Sequence, residues 1–145
     1  MKTLFWILCI IFLALLITVI VLLSLRISEN YGNIDPIVAK LYANLAKIEP
    51  KCAKKITIKK AGKSYTVNKK HVHLCVKDEE TGEYFNNNML MYVLLHEIAH
   101  VLSKSVGHTK EFHRKFDELL KKAEELGYYD PNIPPVENYI EKCIV

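Results

Sequence analysis

The chain has 145 residues, half of them hydrophobic, with 20 Lys and Arg against 16 Asp and Glu, a net charge of +4. That length allows one small domain and little else. So modest a basic excess, with only two arginines (Arg26 and Arg114), excludes a strongly basic nucleic-acid-binding protein.

The apolar residues are concentrated at the start. Thr3 to Leu25 holds no charge, glycine or proline, and Arg26 closes the run. About 23 residues make a helix of roughly 34 Å, enough to cross a hydrocarbon core of about 30 Å. Trp6 sits near one end, where an indole suits the interface. A cleaved signal peptide is the alternative. Its apolar region is shorter, about 7–15 residues, and precedes small residues at the cut. Here the run ends Leu23-Ser24-Leu25-Arg26-Ile27-Ser28, with no such pattern. The expectation is an uncleaved single-pass anchor over residues 1–28 that meets the lipid bilayer through residues 3–25, followed by one domain over 29–145. Removing Lys2 and Arg26 from the 20 basic residues leaves 18 against 16 acidic ones in that domain. Orientation is weakly marked, because Lys2 and the α-amine oppose Arg26 and Lys40 across the span. Cys52, Cys75 and Cys143 are odd in number, contain no C-x-x-C, and accompany no N-x-[ST] sequon. They predict neither a disulfide framework nor a zinc knuckle, and lean toward a reducing, cytosolic side.

The domain reads as α+β. Asp35-Pro36 is a helix start, with Asp35 as cap and Pro36 in the first turn. Ile37, Leu41, Leu45 and Ile48 recur at helical spacing up to Pro50. Ile56 and Ile58, a turn at Ala61-Gly62-Lys63, then Tyr65 and Val67 predict a β-hairpin, with a third strand over 71–76. The expected sheet is short and antiparallel. Asn86-Asn87-Asn88 offers caps for a helix from about Met89 to Leu102. Thr109 can cap another that runs to Leu126 and ends at Gly127. Three prolines keep the tail extended to about Val136.

His96-Glu97-Ile98-Ala99-His100 carries the sharpest chemistry. Residues four apart stack on one helix face, so His96 and His100 can offer two imidazoles to one metal ion. Glu97 is turned by about 100° and flanks such an ion, where a base for an activated water must stand. The surrounding helix is apolar all round, from Met89 to Leu95 and again at Val101 and Leu102. It is therefore expected to be buried. A catalytic zinc site needs a third protein ligand and one open position. His108 follows Gly107 and lies four residues before Phe112, which begins the stripe Phe112, Phe116, Leu119, Ala123, Leu126. It is the leading third ligand, with His113, Glu118 and Glu124 as competitors.

The pattern His96–His100 with Gly107-His108-Thr109-Lys110-Glu111-Phe112 resembles the H-E-x-x-H…G-H-x-x-E-F signature of SprT-like and WLM-type zinc metallopeptidases, and particularly the short members encoded by large DNA viruses. The similarity runs from about Ser64 to Tyr139, including Met89-Leu90-Met91-Tyr92 and Ile133-Pro134. It implies a zincin-like fold, Zn²⁺ as cofactor, His96, His100 and His108 as its ligands and Glu97 as the catalytic residue. The spacing departs from metzincins, which place Gly and His where this chain has Ser103 and Val106. The function expected is a membrane-anchored zinc metallopeptidase acting on a protein or peptide substrate. A non-catalytic, zinc-stabilised membrane interaction module, its fourth position closed by Cys75 or a tail residue, is one alternative. A DNA–protein crosslink protease is the other.

Weaker features complete the reading. His71, His73 and Cys75 alternate on one strand face and offer a second candidate metal site, or a strand lining the cleft. Lys51, Lys54, Lys55, Lys59, Lys60, Lys63, Lys69 and Lys70 form a solvated face or a contact for anionic headgroups. Tyr139, Tyr92, Tyr84 and His113 are candidates to steady an oxyanion.

Overall fold

The computed structural model describes residues 1–32 and 34–143, with side chains placed for 1–25 and 34–143. It divides into two units, Met1–Ile34 and Asp35–Val145.

The first unit is one helix, α1 (Lys2–Gly32). Its backbone stays helical past Arg26. Lys2–Leu25 is unburied, and is long and apolar enough to cross a membrane. At about 36 Å it exceeds a typical hydrocarbon core. Thr18 and Ser24 donate their hydroxyls to Ala14 O and Ile20 O, each at 2.8 Å. Both hydroxyls are thus satisfied inside the helix, as a lipid environment demands.

The second unit is α+β. Asp35 caps α2 (Pro36–Ile48) by accepting from Ile37 N–H at 3.0 Å. Val38, Leu41, Leu45 and Ile48 form its buried stripe. After the short α3 (Pro50–Ala53) come three strands, β1 (Thr57–Lys60), β2 (Tyr65–Val67) and β3 (His71–Leu74). Their order is β1-β3-β2. The expected hairpin between the first two is therefore wrong, and so is the all-antiparallel sheet. β1 runs parallel to β3, while β2 and β3 form the antiparallel hairpin. The reason lies in the 68–69 turn. Asn68 and Lys69 both take positive φ (51° and 52°), and Lys70 N–H closes on Val67 O at 3.1 Å. Two left-handed central residues match the twist of a tight hairpin. The turn at 61–63 instead carries the chain past the end of β3, with Ala61 N–H bonded to Leu74 O at 2.8 Å.

β3 is thus the central strand. Val72 and Leu74 point inward and are buried, while His71 and His73 face outward. The inner face covers α4 (Asn87–Leu102), the centre of the core, where Leu94, Leu95, Ile98 and Ala99 are wholly buried. Asn86 caps α4 by accepting from Met89 N–H at 2.8 Å. α5 (Lys110–Glu125), capped by Thr109, packs on α4 through Phe112, Phe116, Leu119 and Ala123. Leu126 falls outside that stripe, half exposed just beyond the helix end. Gly127 follows with φ of 74°, the left-handed turn that ends the helix.

The tail closes with α6 (Tyr139–Lys142). Cys143 is disulfide-bonded to Cys75, 68 residues earlier. This overturns the expectation drawn from the odd cysteine count. The tail returns to the end of β3 and pairs two of the three domain cysteines, leaving Cys52 buried and free. Disulfides persist in oxidising surroundings, so the lean toward a reducing, cytosolic side loses its basis.

Candidate metal centre

α4 presents His96 and His100 on one face, one turn apart, at the open edge of the core. Leu102 ends the helix, and residues 103–109 swing back so that His108 meets the pair. One ligand atom from each of the three lies within 4.8 Å of the others. His108 Nε2 and His96 Nε2 are 3.0 Å apart. This cluster could bind a metal. His108 belongs to the connecting loop, since Thr109 is the cap and Lys110 the first helical residue.

The three rings rest on Phe112, whose ring centroid is 4.9 Å from that of His96, 4.4 Å from His100 and 4.7 Å from His108. Burial, reinforced by charge on His100, His108 and His113, pushes the His96 imidazole down to about 4. Burial also lowers His100, helped by His108 and Lys69. Neutral imidazoles keep the lone pairs that a metal needs.

Glu97 stands beside this group and is not part of it. Its side chain is buried, and Thr66 Oγ donates to its Oε2 at 2.7 Å. Burial raises the carboxyl's proton affinity, and the Thr66 hydrogen bond opposes that rise. Thr66 lies opposite Val72 in the register, on the inward face of β2. β2, not β3, therefore borders the cleft. The cleft measures about 590 Å³ and runs from Tyr65 and Thr66 past the histidines to Ser105 and Val106.

Two residues hold the loop that carries His108. Glu111 Oε2 accepts from Lys104 N–H at 3.1 Å, Ser105 N–H at 3.4 Å and Ser105 Oγ at 3.3 Å. Desolvation pushes its carboxyl up, but the Ser105 and Lys104 donors outweigh this and keep it below the usual range. From the hairpin turn, Lys69 Nζ donates to Ser103 O, and to Lys104 O at 2.7 Å. Thr66 and the roles of Lys69 and Glu111 are absent from the sequence reading. An inward position on a strand and an acid just inside a helix start were the available signals.

The other candidates lie elsewhere. Glu118 is half exposed and paired with Arg114 at 2.9 Å. Neither it, nor His113, nor Glu124 joins the histidine group. His71 Nδ1 pairs with Thr57 Oγ at 2.9 Å, His73 stacks on Tyr65 with centroids 4.5 Å apart, and Cys75 is in the disulfide. These three therefore make no second metal site. Of the lysines, Lys69 is engaged as described, Lys60 reaches Asp35 at 3.7 Å, and Lys51, Lys54, Lys55, Lys59, Lys63 and Lys70 are exposed.

Among the oxyanion candidates, Tyr84 donates to Asp35 at 2.9 Å, away from the cleft. Tyr139 donates its hydroxyl proton to Cys75 O at 2.7 Å and receives one from Ser64 Oγ at 2.8 Å. Ser64 in turn accepts from Cys75 N–H at 3.0 Å, closing a ring. The Tyr139 proton is thus committed, and burial pushes the phenol up to about 12. Tyr92 packs against Phe116 beside His96, with ring centroids 5.1 Å apart.

The relatives are viral. The chain is 48% identical over 86 residues to the uncharacterized protein 136R of Invertebrate iridescent virus 6, which covers 58% of this chain and 48% of that protein. It is 50% identical over 76 residues to the uncharacterized protein 042R of Invertebrate iridescent virus 3, 52% of this chain and 48% of that one. With the uncharacterized protein R325 of Acanthamoeba polyphaga mimivirus it shares 40% over 67 residues, 46% of this chain and 34% of the relative. The chain thus spans about half the length of the iridescent-virus proteins it matches, and about a third of the mimivirus one. No protein-family model and no solved structure matches it.

Proposed function

We propose that the protein is a membrane-anchored zinc metallopeptidase of the SprT-like and WLM-type group, with a zincin-like domain. The carrying observation is three convergent imidazoles beside a buried carboxylate at an open cleft. His96, His100 and His108 hold the ion. Tetrahedral zinc with Zn–N bonds of about 2.0–2.1 Å spaces its ligand atoms by roughly 3.3 Å. His96 Nε2 and His108 Nε2, 3.0 Å apart, are close to that value, and all three ligand atoms lie within 4.8 Å of one another. When bound, zinc supplies Lewis acidity, easing deprotonation of water and polarising a carbonyl.

Glu97 does the proton work. It takes a proton from the attacking water and delivers it to the leaving amine. Thr66 orients the carboxylate for this by holding Oε2, while Phe112 and Glu111 fix the ring stack and the His108 loop. The interaction module is disfavoured by its ligand count. Among the described residues no fourth His, Cys, Asp or Glu joins the cluster, and Cys75 is already bonded to Cys143.

The test is a pair of variants of the full chain. Glu97→Gln should keep zinc and fold but lose peptide cleavage by about 10²–10⁴, the usual contribution of a positioned base. His108→Ala should lower zinc affinity. Loss of zinc in Glu97→Gln would make Glu97 a ligand, and full zinc in His108→Ala would place the third ligand elsewhere. A zinc-replete wild type that cleaves no denatured substrate would favour the interaction module.

A further inference from the structure

The cleft described above is one of two recesses that meet at the same residues. Ser64, His96 and Glu97 line both. Beyond that junction the first has Asn68, Lys69 and Ser105 on its walls, with Tyr65 and Val106. The second, about 520 Å³, mixes polar Asn138 and Tyr139 with a group of apolar side chains. Met89, Tyr92 and Val93 from the start of α4 form one side, and Val136 and Ile140 from the tail form the other. Among the described residues no Lys or Arg lines it, and Glu97 and Glu141 are its acids.

We propose that this second recess is a binding pocket for a bulky apolar side chain of the polypeptide substrate, at the residue next to the cleaved bond, and that the C-terminal tail is its specificity-determining wall. The proposal rests on the peptidase reading. A chain laid across both recesses passes His96 and Glu97 at their junction, so the residue on this side must enter the apolar walls. An aliphatic or aromatic side chain leaves water there favourably. An acidic one would be desolvated beside two carboxylates.

The wall is built to hold its place. α6 has only four residues and could not persist as an isolated helix. It is pinned at Cys143 by the bridge to Cys75, and at Tyr139 by the closed ring through Ser64 and the Cys75 backbone. Tyr139 also packs on Phe85, with ring centroids 4.9 Å apart. Glu79 N–H donates to Lys142 O at 3.0 Å, and the Lys142 ammonium lies 3.6 Å from Asp78. Asn138 turns the chain into α6 with φ of 56°, a conformation that asparagine tolerates better than most residues. Tyr139, its proton already committed, is on this view a positioning residue of the pocket wall.

The experiment is cleavage-site profiling of the full-length, zinc-loaded chain in detergent micelles, on a mixture of denatured proteins, read by mass spectrometry. One position next to the cut should favour Leu, Ile, Met or Phe over Asp or Glu by at least about tenfold, the scale on which apolar pockets discriminate. Ile140 is 69% exposed, so Ile140→Lys should fold normally. It should shift that position toward Asp and Glu. The double variant Cys75→Ser, Cys143→Ser should keep its zinc and lose the preference. A readout without cleavage is the methyl NMR signal of Met89 in Glu97→Gln protein, which should move with a Leu-containing peptide and not with its Asp counterpart. Cleavage with no apolar preference, a preference untouched by Ile140→Lys, or a Met89 methyl that ignores both peptides would overturn the pocket. If no substrate is cut at all, the peptidase reading fails, and the Met89 signal alone decides whether the recess binds apolar side chains.

Discussion

Thr66 is the residue whose removal most sharply separates orientation of Glu97 from metal binding. Its hydroxyl lies 2.7 Å from Glu97 Oε2 and 3.3 Å from the Glu97 backbone carbonyl, so its single proton goes mainly to the carboxylate. That distance is in the range of charge-assisted O–H···O bonds. Thr66→Val keeps the β-branched shape that suits the strand and deletes only the donor. A hydrogen bond to a charged group contributes about 1.5–3 kcal/mol. The cleft is open, so water can replace part of it, and the lower end applies. About 1.4 kcal/mol corresponds to roughly tenfold. On the peptidase reading Thr66→Val should therefore lower kcat for peptide cleavage about tenfold, with zinc content unchanged, because Thr66 is outside the histidine cluster. Thr66→Ser should restore most of the rate. Steady-state kinetics on a quenched fluorescent peptide, alongside metal analysis, reads all three. Unchanged kcat in Thr66→Val, or an equal loss in Thr66→Ser, would show that this hydrogen bond does not orient the base.

The buried thiol of Cys52 is pushed up to about 11 by burial and then by the Glu49 charge. It should resist iodoacetamide at pH 8 in the folded protein and react only after denaturation; rapid labelling of Cys52 itself, told apart from the free Cys9 by peptide mapping, would contradict its burial. The sign for stability follows from the same shift. The folded state favours the protonated thiol, so this contribution is full below the unfolded value near 8.5 and is lost as pH rises toward about 11. Lys2–Leu25 should keep the protein in the membrane fraction through alkaline carbonate extraction, whereas recovered protein beginning near Ser28 would show that the segment had been removed.

What was legible in the sequence was local. Asp35, Asn86 and Thr109 cap helices because each needs only the N–H two or three residues ahead. The apolar embedding of the H-E-x-x-H motif marked α4 as central, and Gly107-His108 placed a third imidazole within reach of the pair. What escaped was long-range. Strand order turned on Asn68 and Lys69 taking left-handed φ, and on β1 joining the far edge of β3. The Cys75–Cys143 bridge spans 68 residues, and the odd cysteine count disguised it. The Thr66–Glu97 contact joins residues 31 apart through the sheet register, which a one-residue slip would have abolished. Of the oxyanion candidates, only three-dimensional bonding showed that the Tyr84 and Tyr139 hydroxyls are committed elsewhere.

The most direct measurement on the proposed metal centre is zinc K-edge X-ray absorption of the purified full-length protein. Three histidines with an open position should give one zinc per chain, a first shell of nitrogen and oxygen at about 2.0–2.1 Å with imidazole scattering from three rings, and no sulfur. A sulfur shell near 2.3 Å, a fourth imidazole, or protein that binds no zinc would contradict a catalytic centre built from His96, His100 and His108.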